Sequence, residues 1–128
     1  MRYLLDTHVI IWAMIDSDKL SRHARTVLSD ANNDFYVSTA SLWEIALKHD
    51  RRPEDIPVTA EQVCRYCDEC GVRYMPIMPE HAAGVNSIEN IHADPFDRML
   101  ISQAVCERMK LMSHDSKIQS YGDMVLSV

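Results

Sequence analysis

The chain has 128 residues, 47% of them hydrophobic, which fits one domain around a single core. A formal charge of −6 weighs against a polyanionic partner held by a broad basic face. No apolar run is long enough to span a bilayer, the first being broken by Asp6 and His8 and followed by Asp16, Asp18 and Lys19, so the expectation is a soluble, cytoplasmic protein with no membrane contact and no targeting segment.

Short apolar runs alternate with longer amphipathic ones, the pattern of repeated strand–helix units in a parallel sheet. In chain order the pattern predicts a strand at Tyr3 to Leu5 and helices around Val9 to Met14 and Ser21 to Ala31. A strand at Asp34 to Ser38 follows, then helices at Ser41 to His49 and Ala60 to Glu69, and a strand at Arg73 to Pro76. Helices at Glu80 to Ile88 and Pro95 to Met109, a strand at Lys110 to Ser113 and a last strand near Met124 to Val128 complete the chain. The expected fold class is α/β, one domain over residues 1–128 with a central parallel sheet of four to five strands flanked by helices. Between the helices, Arg51 to Pro57 reads as a loop, because two prolines four residues apart exclude helix. It is a candidate rim for a site, and Arg51 and Arg52 with Lys48 form the densest positive patch, which a solvated basic turn explains equally well.

Cys64, Cys67 and Cys70 stand at C-x2-C-x2-C, the opening of a bacterial iron–sulfur run. No fourth ligand follows in Gly71-Val72-Arg73-Tyr74, and Cys106 lies far down the chain. A spacing of three also puts side chains on successive turns of a helix, so three small apolar groups beneath one face is the preferred reading. Four cysteines fit reduced thiols in the cytosol.

Four carboxylates fall where strand gives way to helix: Asp6, Glu44, Asp97 and Asp115. In a parallel sheet they converge on one edge and repel one another unless a positive group sits among them, and a hard divalent cation is the usual solution for all-oxygen ligands. Two such ions would take the formal charge to about −2, so the acidic composition leaves nucleic acid open as a substrate.

Each acid also has a purely structural explanation. Asp6 stands at the carboxyl end of a strand, where open α/β sheets bind ligands, and is equally a helix N-cap. Ser41-x-x-Glu44 fits a capping box, whereas a site role turns Glu44 to the sheet edge on the face of Ala40 and Leu47. Lys48, at i+4, is then either its ion-pair partner or a phosphate contact. Asp94-Pro95 signals a helix start, which places Asp97 in the first turn on the apolar stripe of Leu100, Ile101 and Ala104. The helix dipole offers Asp97 only about 0.3–1 kcal/mol, so a metal or a cation such as Arg98 is wanted as well. Asp115 repeats the logic of Asp6, flanked by Ser113 and Ser116, with a cap on a short Ser116 to Tyr121 turn as the alternative. His8, His92 and His114 are read as neighbours of the acids rather than ligands.

Taken together, Leu4-Leu5-Asp6-Thr7-His8, the run from Ser38 to Lys48, the run from His92 to Ile101, and Leu111-Met112-Ser113-His114-Asp115 before Tyr121-Gly122 resemble the PIN-domain ribonucleases, closely the VapC-type toxins of bacterial toxin–antitoxin pairs. The resemblance covers nearly the whole chain. It implies that Asp6, Glu44, Asp97 and Asp115 are catalytic and bind one or two Mg2+ or Mn2+ ions, with Ser41 and Ser113 in support, Ser113 standing where the family often has Thr. Lys48 and Arg98 match positions for contacting RNA phosphates or balancing the acids. The first and fourth strands would lie side by side, bringing Asp6 beside Asp115. The implied activity is metal-dependent endoribonuclease hydrolysis of RNA, at one or a few sites in a transfer RNA or another structured RNA. The implied partners are a separate antitoxin protein that inserts a basic segment toward the acids, and a second copy of the chain in a homodimer. Trp12, Trp43, Ile45 and Leu47 are candidates either to meet that partner or to fill the core. Two other readings stand beside this one: a receiver-like phosphotransfer domain with Asp6 as acceptor, although the paired acids that should adjoin it are missing, and a catalytically inert PIN-like scaffold.

Overall fold

Leu4 and Leu5 explain the centre of the architecture. Both are buried, although successive residues of a strand point to opposite faces, so this strand must be covered on both sides. In the computed structural model, which describes residues 1–90 and 93–128, it is the middle strand of five. The strands are β1 (Arg2–Leu5), β2 (Asp34–Ser38), β3 (Arg73–Met75), β4 (Lys110–Ser113) and β5 (Val125–Ser127), all parallel, in the order β3-β2-β1-β4-β5. Leu4 pairs with Tyr36 of β2 on one side and Leu111 of β4 on the other. This order differs from the β2-β1-β3-β4-β5 order of receiver domains and sets the phosphotransfer reading aside.

Around the sheet lie α1 (Thr7–Met14), α2 (Arg22–Ser29), α3 (Thr39–Lys48), α4 (Ala60–Cys70), α5 (Pro79–Gly84), α6 (Pro95–Glu107) and α7 (Ser116–Gln119). Leu5, Val9, Ile10, Ile45, Ile56, Val63 and Cys67 build the core of one face. Leu4, Leu100, Ile101, Ala104, Leu111 and Ile118 build the other. A parallel sheet needs this double cover, and the expected α/β class with five strands is what forms. Among the described residues no helix is long and apolar enough to cross a membrane.

Several element ends depart from expectation for local reasons. Ser38 caps α3 by accepting the amide of Ala40 at 3.0 Å, so the helix begins at Thr39 rather than Ser41. Ser41 is then an interior, buried position, and the capping box at Ser41-Glu44 does not form. The helix expected over 80–88 stops at Gly84 and continues as a 3-10 turn, Val85–Ser87. Gly84 lies so close to α6 that a Cβ there would meet Ser102 Oγ at 2.8 Å. Helix α6 ends two residues early because Arg108 adopts φ 54°, and the amide of Met109 returns to the Ala104 carbonyl at 2.9 Å. The loop after α3 is pinned by Ile56, which is fully buried and accepts a 2.8 Å bond from His49 Nδ1. The three spaced cysteines do not share one buried face: Cys67 is in the core, Cys64 half-buried and Cys70 exposed. Burial pushes the Cys67 thiol up to about 11, so it stays neutral.

Candidate active site

The carboxyl edge of the sheet opens on a cleft of about 400 Å3, into which four separate elements bring Asp6, Glu44, Asp97 and Asp115. Asp6 continues β1, its amide donating to the Met112 carbonyl at 3.0 Å. It occupies the N-cap position of α1, but its side chain caps nothing there. Instead Asp6 Oδ2 accepts a 2.6 Å bond from Ser113 Oγ on β4. The same hydroxyl accepts the amide of Asp115 at 3.1 Å, so Ser113 ties two of the acids together across neighbouring strands. Burial raises the Asp6 pKa and the nearby Glu44 raises it further, while the Ser113 bond and attraction to His8 oppose them.

Glu44 faces inward and is only 5% exposed. Its Oε1 accepts Thr7 Oγ1 at 2.6 Å and its Oε2 accepts Lys48 Nζ at 2.7 Å. The one hydroxyl proton of Thr7 goes to this carboxylate, which leaves Ser41 Oγ, 3.0 Å from Thr7 Oγ1, to donate in turn. Thr7, 1% exposed, thus links both predicted neighbours of α3 to the end of β1. Sequence reasoning missed it. The available signal was its place beside Asp6, at the first helical position, where a β-branched hydroxyl has no helical advantage.

Asp94 caps α6 as expected, its Oδ1 accepting the amides of Phe96 at 2.9 Å and Asp97 at 3.2 Å. Leu100, Ile101 and Ala104 are buried beneath the stripe that carries Asp97. The Asp97 carboxyl is pushed up to about 8, first by burial and then by repulsion from Asp6, Asp94, Glu44 and Asp115. Asp115 does serve as a cap, its Oδ1 accepting the Lys117 amide at 2.7 Å, so capping and a place in the cleft coexist.

The cleft walls add residues that the sequence did not single out as a group. Trp12 lies between His8 (5.8 Å) and His114 (5.0 Å) on one side. Arg52 and Asp55 also line the cleft, Asp55 meeting His8 Nε2 at 3.0 Å, so the loop after α3 forms part of its rim. Arg98 donates to the carbonyls of Val85 at 2.9 Å and Glu89 at 3.4 Å, on the chain before α6. His92 lies outside the described residues. Trp12 and Ile45 belong to the core, whereas Trp43 and Leu47 are exposed on α3, and Trp43 packs edge-on against Phe96 at 5.5 Å.

An all-oxygen donor set of carboxylates and hydroxyls suits a hard divalent cation, and the raised Asp97 pKa reports a negative field that such a cation would relieve, so these residues fit a metal. Among the described residues, three ligating side chains with donor atoms all within 4.8 Å of one another occur at a different place, Glu80, His81 and Glu107. There the His81 Nδ1 accepts the Met78 amide at 3.0 Å, so Nε2 carries the proton and donates to Glu107 at 2.9 Å. A neutral imidazole in that arrangement has no lone pair left for an ion, and the group is a structural tie between α5 and α6.

A parallel α/β sheet whose carboxyl edge gathers carboxylates from four elements defines a nuclease-type domain. The chain belongs to the PIN domain family, which matches residues 3–124. Membership implies nuclease activity, and PIN nucleases generally use a divalent metal. The fold is similar to that of VapBC2 from Rickettsia felis, solved bound to a DNA fragment from its promoter, with a TM-score of 0.66, 18% identity and coverage of 99% of this chain and 98% of that one. It is similar to DNA-bound VapBC from Salmonella typhimurium, with a TM-score of 0.69, 12% identity and coverage of 99% and 98%. A toxin–antitoxin complex from Klebsiella pneumoniae gives 0.66, 16% identity and coverage of 98% and 96%. No curated protein sequence matches the chain.

Proposed function

We propose that this protein is a VapC-type toxin, an endoribonuclease that hydrolyses RNA phosphodiester bonds with Mg2+ or Mn2+ and is silenced by a separate antitoxin. The observation that carries this reading is the convergence of Asp6, Glu44, Asp97 and Asp115 on one cleft, with the Asp97 carboxyl pushed up to about 8. These acids supply the field that would hold the ion, and Ser113 holds Asp6 and the backbone of Asp115 in register. When bound, a divalent cation acidifies a water and balances charge building on the scissile phosphate. Arg52 stands on the cleft wall within reach of an incoming phosphate, and Asp97 in its ionised form is a candidate acceptor for the proton of the attacking water. With six carboxylates on its walls, the cleft disfavours non-specific binding of long RNA, so selection by the shape of an exposed loop, as in a transfer RNA, fits better.

The antitoxin reading is supported by Trp43 and Leu47, 60% and 42% exposed on the helix that carries Glu44. They offer an apolar seat beside acids that attract a basic segment. Pairing of the chain with itself belongs to the same reading.

The test is cleavage of total RNA by partner-free protein in Mg2+, Mn2+ and EDTA, alongside Asp6→Asn and Asp97→Asn. Discrete metal-dependent fragments lost in both variants are expected. Cleavage that persists in EDTA or in both variants would overturn the assignment.

A further inference from the structure

Both oxygens of the Glu44 carboxylate already have a donor, one of them a full positive charge. Thr7 takes Oε1 at 2.6 Å and Lys48 takes Oε2 at 2.7 Å, in a cleft where Glu44 is 5% exposed. Lys48 is held there by geometry independent of any ion. It lies one turn after Glu44 on α3, and its ammonium sits 5.3 Å from the centre of the Phe96 ring, the residue before Asp97. Trp43 also packs edge-on with that ring, at 5.5 Å between centroids. Lys48 is therefore clamped between the helix that carries Glu44 and the helix that carries Asp97.

We infer that Lys48 is a resident cation of the acid cluster, taking the place beside Glu44 that a second divalent ion would need. Glu44 then serves Lys48, and a single divalent ion rests on Asp6, Asp97 and Asp115. A metal bonded to Glu44 Oε2 would sit within about 4 Å of the ammonium, and even at the dielectric of water a double charge that close to a unit charge loses more than tenfold in affinity. The inference deepens the proposed function, since it rests on the acids being a divalent-metal site. It settles the count of ions by a residue of the chain itself and makes Lys48 a positioning residue of that site.

The experiment is a count of bound Mn2+ without RNA, from the electron paramagnetic resonance signal of the free ion, for wild type, Lys48→Met and Lys48→Arg. Near-ultraviolet circular dichroism of Trp12 and Trp43 verifies that each is folded. Wild type should bind one ion. Lys48→Met, which keeps the aliphatic stem against Phe96, should bind a second at least tenfold more tightly than wild type does, and Lys48→Arg should return to one. Two equivalent ions in wild type, or an unchanged count in Lys48→Met, would overturn the role of Lys48 while leaving the metal reading intact. No Mn2+ bound by any of the three would overturn both.

Discussion

Replacing Asp97 with Asn should make the protein more stable, and more so as pH rises. The folded-state pKa of Asp97, about 8, lies above its ordinary value of 3.8, so between these values the folded state holds a proton that the unfolded state has released. For an acid shifted in this direction stability falls as pH rises from about 4 to about 8, and it levels off above. At about 1.4 kcal/mol for each pH unit between those values, the ceiling is about 6 kcal/mol. Asp97 is half-buried, and solvent screening brings the expected gain to about 1–3 kcal/mol at pH 8. A gain of this size moves Tm by roughly 3–5 °C per kcal/mol in a domain of this length. Urea unfolding of wild type and Asp97→Asn in EDTA, at pH 5 and pH 8, measures the difference. A variant slightly more stable at pH 5 and clearly more stable at pH 8 is expected. A variant that is less stable at pH 8, or a gap that does not grow with pH, would refute the claim that Asp97 is held at the expense of stability. Saturating Mn2+ adds a second arm, since an ion at one hundred times its Kd stabilises wild type by about 2.7 kcal/mol and should do little for the variant.

Three further outcomes follow from contacts around the cleft. Ser113→Ala removes the bond that lowers the Asp6 pKa, so Asp6 should titrate higher by carboxyl-detected NMR, with a stability loss of about 1–2 kcal/mol. Thr7→Val leaves Glu44 Oε1 and Ser41 without their shared partner and should cost about 1–3 kcal/mol in chemical denaturation, while Thr7→Ser recovers most of it. Gly84→Ala brings a Cβ to 2.8 Å from Ser102 Oγ, which is itself bonded to the His81 carbonyl at 2.6 Å, and a loss of about 1–3 kcal/mol is expected despite the better helix propensity of Ala.

Much of this was legible because strand ends are punctuated locally. The apolar pairs Leu4-Leu5 and Leu111-Met112 stop at a polar residue, and in a parallel sheet every such stop faces the same edge, so Asp6 and Asp115 could be placed together before any coordinates. Asp94-Pro95 fixed the phase of α6 and with it the inward turn of Asp97. Long-range partners were not legible. Nothing near Thr7 indicates that its hydroxyl meets a carboxylate 37 residues away, and nothing near Arg98 indicates that it turns to carbonyls before its own helix. The break at Gly84 is a tertiary effect too, since it arises from the approach of α5 to α6 rather than from any local stop signal.

Glu44 shows how the choice between two caps three residues apart decides between structure and site. Ser38 and Ser41 are both good caps, and only the choice of Ser38 makes Thr39 the first helical residue. Had Ser41 been the cap, Glu44 would fall at the third helical position, where its carboxylate returns to the helix start. With Ser38 as cap, Glu44 is more than a full turn inside α3, where Thr7 of α1 and Lys48 of α3 itself complete its bonds. The Thr7 hydroxyl and the Lys48 ammonium give each oxygen of this buried carboxylate a partner, which a charge at 5% exposure needs. Burial and four neighbouring acids raise the Asp97 carboxyl, whereas Glu44 is paired with Lys48. Within the cleft Glu44 is thus balanced by a cation of the chain itself, while Asp6 and Asp97 are each raised by burial and by neighbouring acids, and it is beside those two that an added cation gains most.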